Sequence, residues 1–390
     1  MMKFIDELKK EELDGKKVIL RADLDVPLRQ LPTANHQSST KIGDDFRIRA
    51  QKETLDYLVD AGAKILVVAH LGHEVSDKSF APVVEEIGKI LGQTLTLVPH
   101  AELASVDILF RGGQVLLLDN IRQDEREVQN DEGLAAELSN GFDYYVDDAF
   151  ATAHRSHASI VAVTKHLPAY AGFLIKKETE NLKQAMEAPT EGKILVLGGA
   201  KISTKLPVIK NFLDRAEKIL IGGALANNFF KMQGINVGSS VIDDSVFLDV
   251  KSDKIILPRD FLAGNKNSVS GSASVYNRIM SVENDEAILD IGPETIKEWT
   301  EIIKHAKMVI WNGPMGYSEH KDFAVGTKVI AEAVAAAGYS IIGGGDTIAA
   351  VDKLGLLDKY SFVSTGGGSM LSFLAGEKLA GLEALSYYEN

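Results

Sequence analysis

Two sets of residues in this chain could do chemistry, and they lie in different halves. In the second half, apolar runs stop at glycine-rich turns: Gly198-Gly199-Ala200-Lys201, Gly222-Gly223, Asn312-Gly313-Pro314, Gly343-Gly344-Gly345-Asp346-Thr347 and Ser364-Thr365-Gly366-Gly367-Gly368-Ser369. Glycine admits a close backbone approach, and a helix opening at such a turn presents free N–H groups and a positive dipole end to phosphate. Asp346 adds a carboxylate for a divalent cation and Thr347 a hydroxyl at a helix start, a set that suits a magnesium nucleotide. Lys201 and Lys205, if both are helical, share one face beside the first turn. None of these turns has the Gly-Lys-Ser/Thr ending of a P-loop or the GxGxxG of a dinucleotide site.

The first half ends its apolar runs on charge. Arg21, Arg47, Arg122 and Arg155 stand at or near strand ends with His70, His73, His154 and His157. Guanidinium forks match carboxylate and phosphate bidentately, so converging arginines suit a small acid carrying both groups. A single arginine is usually an ion pair, and a single glycine turn is usually only a tight bend; recurrence at successive strand ends is what points to ligands. No His or Cys set has zinc spacing and no nucleophile elbow is present, which disfavours hydrolysis.

The elements that must hold these residues are legible as short apolar runs alternating with amphipathic stretches. Strands are expected at 18–20, 65–68, 115–118, 144–146, 194–197, 219–221, 309–311 and 340–342. Helices are expected at 47–60, 81–91, 176–186, 295–305, 327–337 and 350–354, the last capped by Thr347. This is the pattern of parallel βαβ units, in which ligands sit beyond the carboxyl ends of the strands. Residues 31–42, polar and containing Pro32, read as a flexible loop, and 265–281, rich in Ser, Asn and Gly, as surface strands or loops. The helix at 176–186 comes just after the likeliest domain boundary.

Composition limits the partners. The chain has 390 residues, 45% hydrophobic residues, a formal net charge of -13 and no cysteine. Such a charge disfavours nucleic acid and anionic membranes, and the absence of cysteine excludes disulfides and thiol catalysis. No run reaches the roughly 20 apolar residues of a membrane span, and the charged start lacks a signal-peptide core, so a cytoplasmic protein is expected.

Taken together, Arg21-Ala22-Asp23-Leu24-Asp25-Val26-Pro27, His70-Leu71-Gly72, Thr152-Ala153-His154-Arg155-Ser156-His157, Gly198-Gly199-Ala200-Lys201, Trp311-Asn312-Gly313-Pro314-Met315-Gly316, Gly343-Gly344-Gly345-Asp346-Thr347 and Ser364-Thr365-Gly366-Gly367-Gly368 resemble, in order, the blocks of the phosphoglycerate kinase family. The resemblance implies an α/β fold of two doubly wound, Rossmann-like parallel-sheet domains joined by a hinge helix. It places a 3-phosphoglycerate domain at 1–172, the helix at 173–187, a nucleotide domain at 188–374, and a segment 375–390 returning to the first. It implies reversible phosphoryl transfer between ATP and the carboxylate of 3-phosphoglycerate, with Mg2+, in a monomer that closes about the hinge. The alternatives are a nucleotide-binding homologue without turnover, or a kinase for another small carboxylic acid.

Carried over by position, the resemblance assigns the acid to Asp23, Asp25, Arg47, His70, His73, Arg122 and Arg155. It assigns the nucleotide to Gly199, Lys205, Gly223, Asn312, Pro314, Glu319, Gly344, Gly345, Asp346 and Thr347, with Glu319 at the ribose and Asp346 at the metal. Arg47, Lys201, Gly367 and Gly368 are assigned to the phosphoryl in transfer. Three positions depart from the family pattern: Asp25 for asparagine, His73 for arginine and Thr204 for aspartate. The first two subtract positive character from the acid site, with Arg29 or Arg49 as candidate compensation.

Overall fold

Central strands that carry Val, Ile and Leu on both faces must be covered on both faces, and helices supply the cover. The computed structural model describes residues 1–32, 38–72, 74–244, 249–265, 274–277 and 282–389. They form two compact units, Met1–Glu180 with Lys378–Asn390, and Asn181–Glu377.

The first unit holds a six-stranded parallel sheet ordered Leu95–Val98, Val115–Leu118, Lys64–Val68, Lys17–Arg21, Tyr144–Asp147 and Ala169–Ala171. Arg21 pairs in register with Val68 on one side and Asp147 on the other, so three strand ends that lead into charged loops lie adjacent. Residues 31–42 are not a plain loop: Leu28–Pro32 and Ser38–Ile42 pair as antiparallel strands around residues 33–37, which lie outside the described residues. Ladder hydrogen bonds outweigh the low strand propensity of a polar stretch here, and Pro32 is tolerated at the last paired position. The expected helix at 47–60 is two pieces, Phe46–Ala50 and Lys52–Asp60, separated at Gln51.

The second unit holds a six-stranded parallel sheet ordered Ile255–Ile256, Lys218–Ile221, Lys193–Leu197, Met308–Asn312, Ser340–Gly343 and Phe362–Ser364. In chain order this is 3-2-1-4-5-6, the doubly wound arrangement whose ligand crevice opens between strands 1 and 4. Leu197 and Asn312 are register partners there, so Gly198-Gly199 and Gly313-Pro314 leave the sheet side by side. A smaller antiparallel sheet of Ser274–Asn277, Asp260–Gly264 and Ala287–Ile291 belongs to the same unit, so part of the region 265–281 is a strand. Residues 266–273 and 278–281 lie outside the described residues.

All eight strands expected from apolar runs are present, and the four further strands of the two parallel sheets are their edges. The helix Phe173–Glu187 begins on fully buried Asp148, whose Oδ1 accepts from Leu174 N at 2.8 Å and Ile175 N at 3.1 Å. Thr54 Oγ1 accepts from Phe173 N at 2.9 Å. Burial pushes the Asp148 carboxyl up to about 7, with hydrogen bonds from Thr54 and the helix amides acting the other way. After Lys378 the chain packs on the first unit, where Gly381 N donates to Ala153 O at 2.8 Å and Leu379 and Leu382 are buried.

Trp311 anchors the switch point of the second sheet: it is fully buried and its Nε1 donates to Gly313 O at 2.8 Å. Trp311→Phe keeps most of the packing but leaves that carbonyl without its donor. Urea unfolding should show a loss of about 1–3 kcal/mol, from the unmet acceptor and the volume removed.

Candidate active site

Each unit gathers its functional side chains at the carboxyl ends of the central strands. In the first, Arg21 closes the strand Lys17–Arg21, His70 comes after Lys64–Val68, Arg122 after Val115–Leu118, and Arg155 lies beyond Tyr144–Asp147. Arg21 and Arg122 are fully buried and His70 nearly so, while Arg47 and Arg155 are half-buried. Arg122 Nη1 donates to Gly72 O, but among the described residues its Nε and Nη2 have no hydrogen-bond partner. Burial and the charges of Arg155 and Arg21 push the Arg122 pKa down to about 10. Asp25 and Glu127 act the other way, and the two open nitrogens leave this guanidinium capacity for a further anion. Burial, then Arg21, Arg122, Arg155 and Arg47, hold the His70 imidazole well below its ordinary range, so it is neutral.

Two carboxylates stand among these cations. Asp23 Oδ2 lies 3.6 Å from Arg47 Nη1. Asp25 Oδ2 lies 3.9 Å from Arg47 Nη1 and 3.7 Å from His70 Nε2. Burial raises the Asp23 pKa, with Arg47 acting against that rise. Asp25 accepts from Gly72 N at 2.8 Å and so ties the first strand's loop to the His70 loop. The structure thus brings together Asp23, Asp25, Arg47, His70 and Arg122, with Arg155 close enough to act on His70 and Arg122 electrostatically. His73 lies outside the described residues.

Behind this layer stands Asn120, which is not singled out from the sequence. Its side chain accepts from Leu71 N at 2.9 Å and Arg122 N at 3.2 Å, and donates to Leu71 O and Lys78 O, both at 3.0 Å. Its place just beyond an apolar strand was its only signal.

In the second unit the glycine turns do something other than expected. Gly198 N donates to Asn312 O and Gly199 N to Pro314 O, both at 2.9 Å, and Gly223 N donates to Met315 O at 3.1 Å. These amides are satisfied by the carbonyls of Asn312, Pro314 and Met315, so they are not the source of free N–H groups. Their glycines are needed for contact: a Cβ on Gly223, whose φ is +58°, would lie 2.6 Å from Pro314 O and 2.7 Å from Gly199 N. Open amides are found instead at the start of Gly345–Lys353, where Gly344 is the N-cap residue and space around Gly345 is free. Thr347 is not the cap: it lies inside the first turn, fully buried, and its hydroxyl accepts from Gly313 N at 2.7 Å.

Lys205 and Lys201 also separate. The helix is Ile202–Phe212, so Lys201 is the extended, exposed residue before it, while Lys205 is buried beside Gly199. Burial pushes the Lys205 ammonium down to about 8, with exposed Asp346 raising it and Lys201 lowering it further. Asn312 is buried with Nδ2 unpartnered among the described residues, and that atom would lie 3.0 Å from a Cβ on Gly344. Gly367, with φ +48°, precedes the short helix Gly368–Leu374.

Beside these turns a cavity of about 360 Å³ opens among Phe230, Phe261, Leu289, Ile291, Met315 and Tyr317. Gly199, Gly223, Pro314, Glu319 and Asp346 share its lining. Its size falls in the range of small-molecule sites, about 300–1,000 Å³, and its apolar walls suit a flat aromatic base. Phe230, Phe261 and Leu289 are not legible as site residues from the sequence, because an apolar residue facing a cavity looks like one facing a core.

The family profile described as phosphoglycerate kinase matches residues 7–377. The chain belongs to the phosphoglycerate kinase family. A phosphoglycerate kinase from Roseiflexus sp. strain RS-1 is 41% identical over 95% of this chain and 96% of its own length. A chloroplastic phosphoglycerate kinase from Volvox carteri is 39% identical over 98% of this chain and 86% of its own. Among solved structures, phosphoglycerate kinases from Coxiella burnetii and Pyrococcus horikoshii OT3 cover 100% of both chains, with TM-scores of 0.81 and 0.84 at 33% and 31% identity. The α/β fold of two parallel six-stranded sheets is thus the family's fold.

A buried lysine titrating near 8 should make nucleotide binding by this kinase pH-dependent. As pH rises through about 8, Lys205 loses its charge and calorimetric affinity for ADP should fall; Lys205→Met should bind more weakly and lose that dependence.

Proposed function

We propose that this phosphoglycerate kinase holds 3-phosphoglycerate on the first unit and ATP or ADP on the second, and passes the γ-phosphoryl to the acid's carboxylate. The observation that carries the reading is the buried Arg122 guanidinium, two of whose nitrogens have no partner among the described residues, set among Arg21, Arg47, Arg155 and neutral His70. A doubly anionic acid satisfies that cluster better than water does.

On the second unit the base enters the apolar cavity, Glu319 meets the ribose, and the phosphates run over Gly199 and Gly223 towards Lys205, Asn312 and the Gly344-Gly345-Asp346 helix start. Pro314 and Thr347 hold that floor in shape. Among the described residues no cluster of three metal-binding side chains exists, whereas Asp346 offers one exposed carboxylate in a first helical turn. One carboxylate plus phosphate oxygens and water is how Mg2+ is commonly held with nucleotides, so Asp346 fits that ion, which would offset charge on the phosphates.

No general base is required, because the attacking carboxylate is ionised at neutral pH. The chain's own contribution is alignment and charge. Arg47 on the first unit, and Lys201 with the amides at Gly367 and Gly368 on the second, are the positive groups proposed to offset charge on the phosphoryl in transfer, where such groups lower the barrier most. Lys201 is suited to track that group because it precedes its helix, exposed and untethered by burial.

Among the described residues no helix is long and apolar enough to cross a membrane. A net charge of -13 disfavours nucleic acid and anionic membranes as partners. Identity of 41% over 95% of the chain favours turnover over a binding-only homologue.

A coupled assay with ATP, Mg2+ and 3-phosphoglycerate should show turnover; ADP binding without turnover, or turnover only with a different acid, would overturn the proposal. Lys201→Ala should lower kcat by about 100-fold or more while ADP affinity changes only a few-fold, as expected for a group acting on transition-state charge. Equal losses in both would remove Lys201 from the transfer step. Arg122→Met should raise KM for the acid about tenfold or more, the scale of one lost charge-assisted contact.

A further inference from the structure

Arg21 is fully buried at the end of its strand, and every nitrogen of its guanidinium is directed. Nε donates to Ser159 Oγ at 2.9 Å, Nη1 donates to Ala22 O at 2.5 Å, and Nη2 lies 3.3 Å from His70 Nδ1. Guanidinium has no acceptor and keeps its proton in proteins, so in this contact Nδ1 must be the acceptor. We propose that Arg21 is a positioning residue that fixes His70 as the neutral tautomer protonated on Nε2, making that N–H the hydrogen-bond donor for an anionic oxygen of the acid. This rests on the reading of the cluster as the acid site.

The arrangement behind Arg21 resists any other orientation. Ser159 Oγ, which accepts from Arg21, donates to Glu127 Oε1 at 2.7 Å, and Ser159 N donates to Glu127 Oε2 at 2.8 Å. Glu127 is fully buried, with His157 Nδ1 3.6 Å from Oε1. Burial works against its charge, yet His157, Arg21 and Ser159 together hold its pKa below the ordinary value. Arg21 therefore has a fixed anion behind it and a fixed hydroxyl at its side. Turning the guanidinium away from His70 would strand both.

In front, the charged groups acting on His70 are Arg21, Arg47, Arg122 and Arg155, against Asp25, whose Oδ2 lies 3.7 Å from Nε2. A proton on Nδ1 would meet the Nη2 hydrogens of Arg21 head-on, and protonating both ring nitrogens would add a further positive charge to four already present. The Nε2–H end is thus available as an uncharged donor over the range in which a free imidazole titrates. Recognition of an oxygen here depends on direction, with the arginines supplying the charge.

The test is nitrogen NMR on the full chain carrying isotope-labelled histidine, without acid, from about pH 5.5 to 8.5, the span of ordinary histidine titration. Wild type should show a His70 Nδ1 signal of the unprotonated, hydrogen-bonded type and a protonated Nε2, both unchanged across that range. Arg21→Met should mix the tautomers, bring His70 into titration and raise KM for 3-phosphoglycerate about tenfold. Arg21→Lys, a donor without acceptor, should restore the tautomer in part. A protonated Nδ1 or an imidazolium in wild type would overturn the proposal, as would unchanged His70 signals in folded Arg21→Met. The wild-type titration decides even if that variant does not fold. Should the tautomer be as stated but 3-phosphoglycerate leave His70 unmoved, the acid-site reading fails and the tautomer assignment stands.

Discussion

A parallel strand buried on both faces delivers the residues at its carboxyl end into surroundings of low dielectric, and in this chain several of those residues are cations. Arg21, Arg122 and Lys205 are all nearly or fully buried at the mouths of such strands. Isolated charge in such a place is costly, so the structure meets it in two ways. Arg21 is satisfied by protein groups, with Glu127 as counter-charge reached through Ser159. Arg122 and Lys205 are left short, their pKa values displaced downward to about 10 and about 8 by burial. The incompletely satisfied cations are the ones with capacity left for an anion, and the satisfied one is part of the frame.

The frame of the second unit obeys the same logic at the level of backbone. Three turns converge at the switch point of the sheet and close on one another through Gly198, Gly199, Gly223, Asn312, Pro314 and Met315. That mutual satisfaction ties the three turns into one floor. The amides that remain open belong to a helix start, where geometry forbids an internal partner. Rigidity and receptivity are therefore supplied by different residues that look alike in composition.

Much of the fold and the site is legible in the residues alone, and the exceptions share a cause. Central strands such as Val115–Leu118 announce themselves as continuous apolar runs because both faces are covered, whereas Leu95–Val98 and Ile255–Ile256 are partly exposed and short, and carry no such signature. Candidate site residues are legible where the proposed chemistry calls for a charge or a glycine, as at Arg122 and Gly345. They are illegible where the requirement is spatial. Thr347 could equally have served as a cap, a ligand or a strut, and only its 2.7 Å bond from Gly313 N decides. Asn120 and Ser159 act through partners 49 and 32 residues away, separations that adjacent sequence does not encode. The hairpin Leu28–Pro32 with Ser38–Ile42 is hidden by its polarity, since its order comes from a ladder rather than from an apolar pattern.

The brevity of the outer strands has a further result. Among the described residues, the outer strands Ile255–Ile256, Phe362–Ser364 and Ala169–Ala171 span two or three residues each, and Leu95–Val98 spans four. The backbone groups that so short an edge exposes are too few to template a foreign strand, and the five-residue strands of the two parallel sheets are all enclosed by neighbours. Joined to a strongly negative net charge, this disfavours edge-to-edge pairing between copies of the parallel sheets.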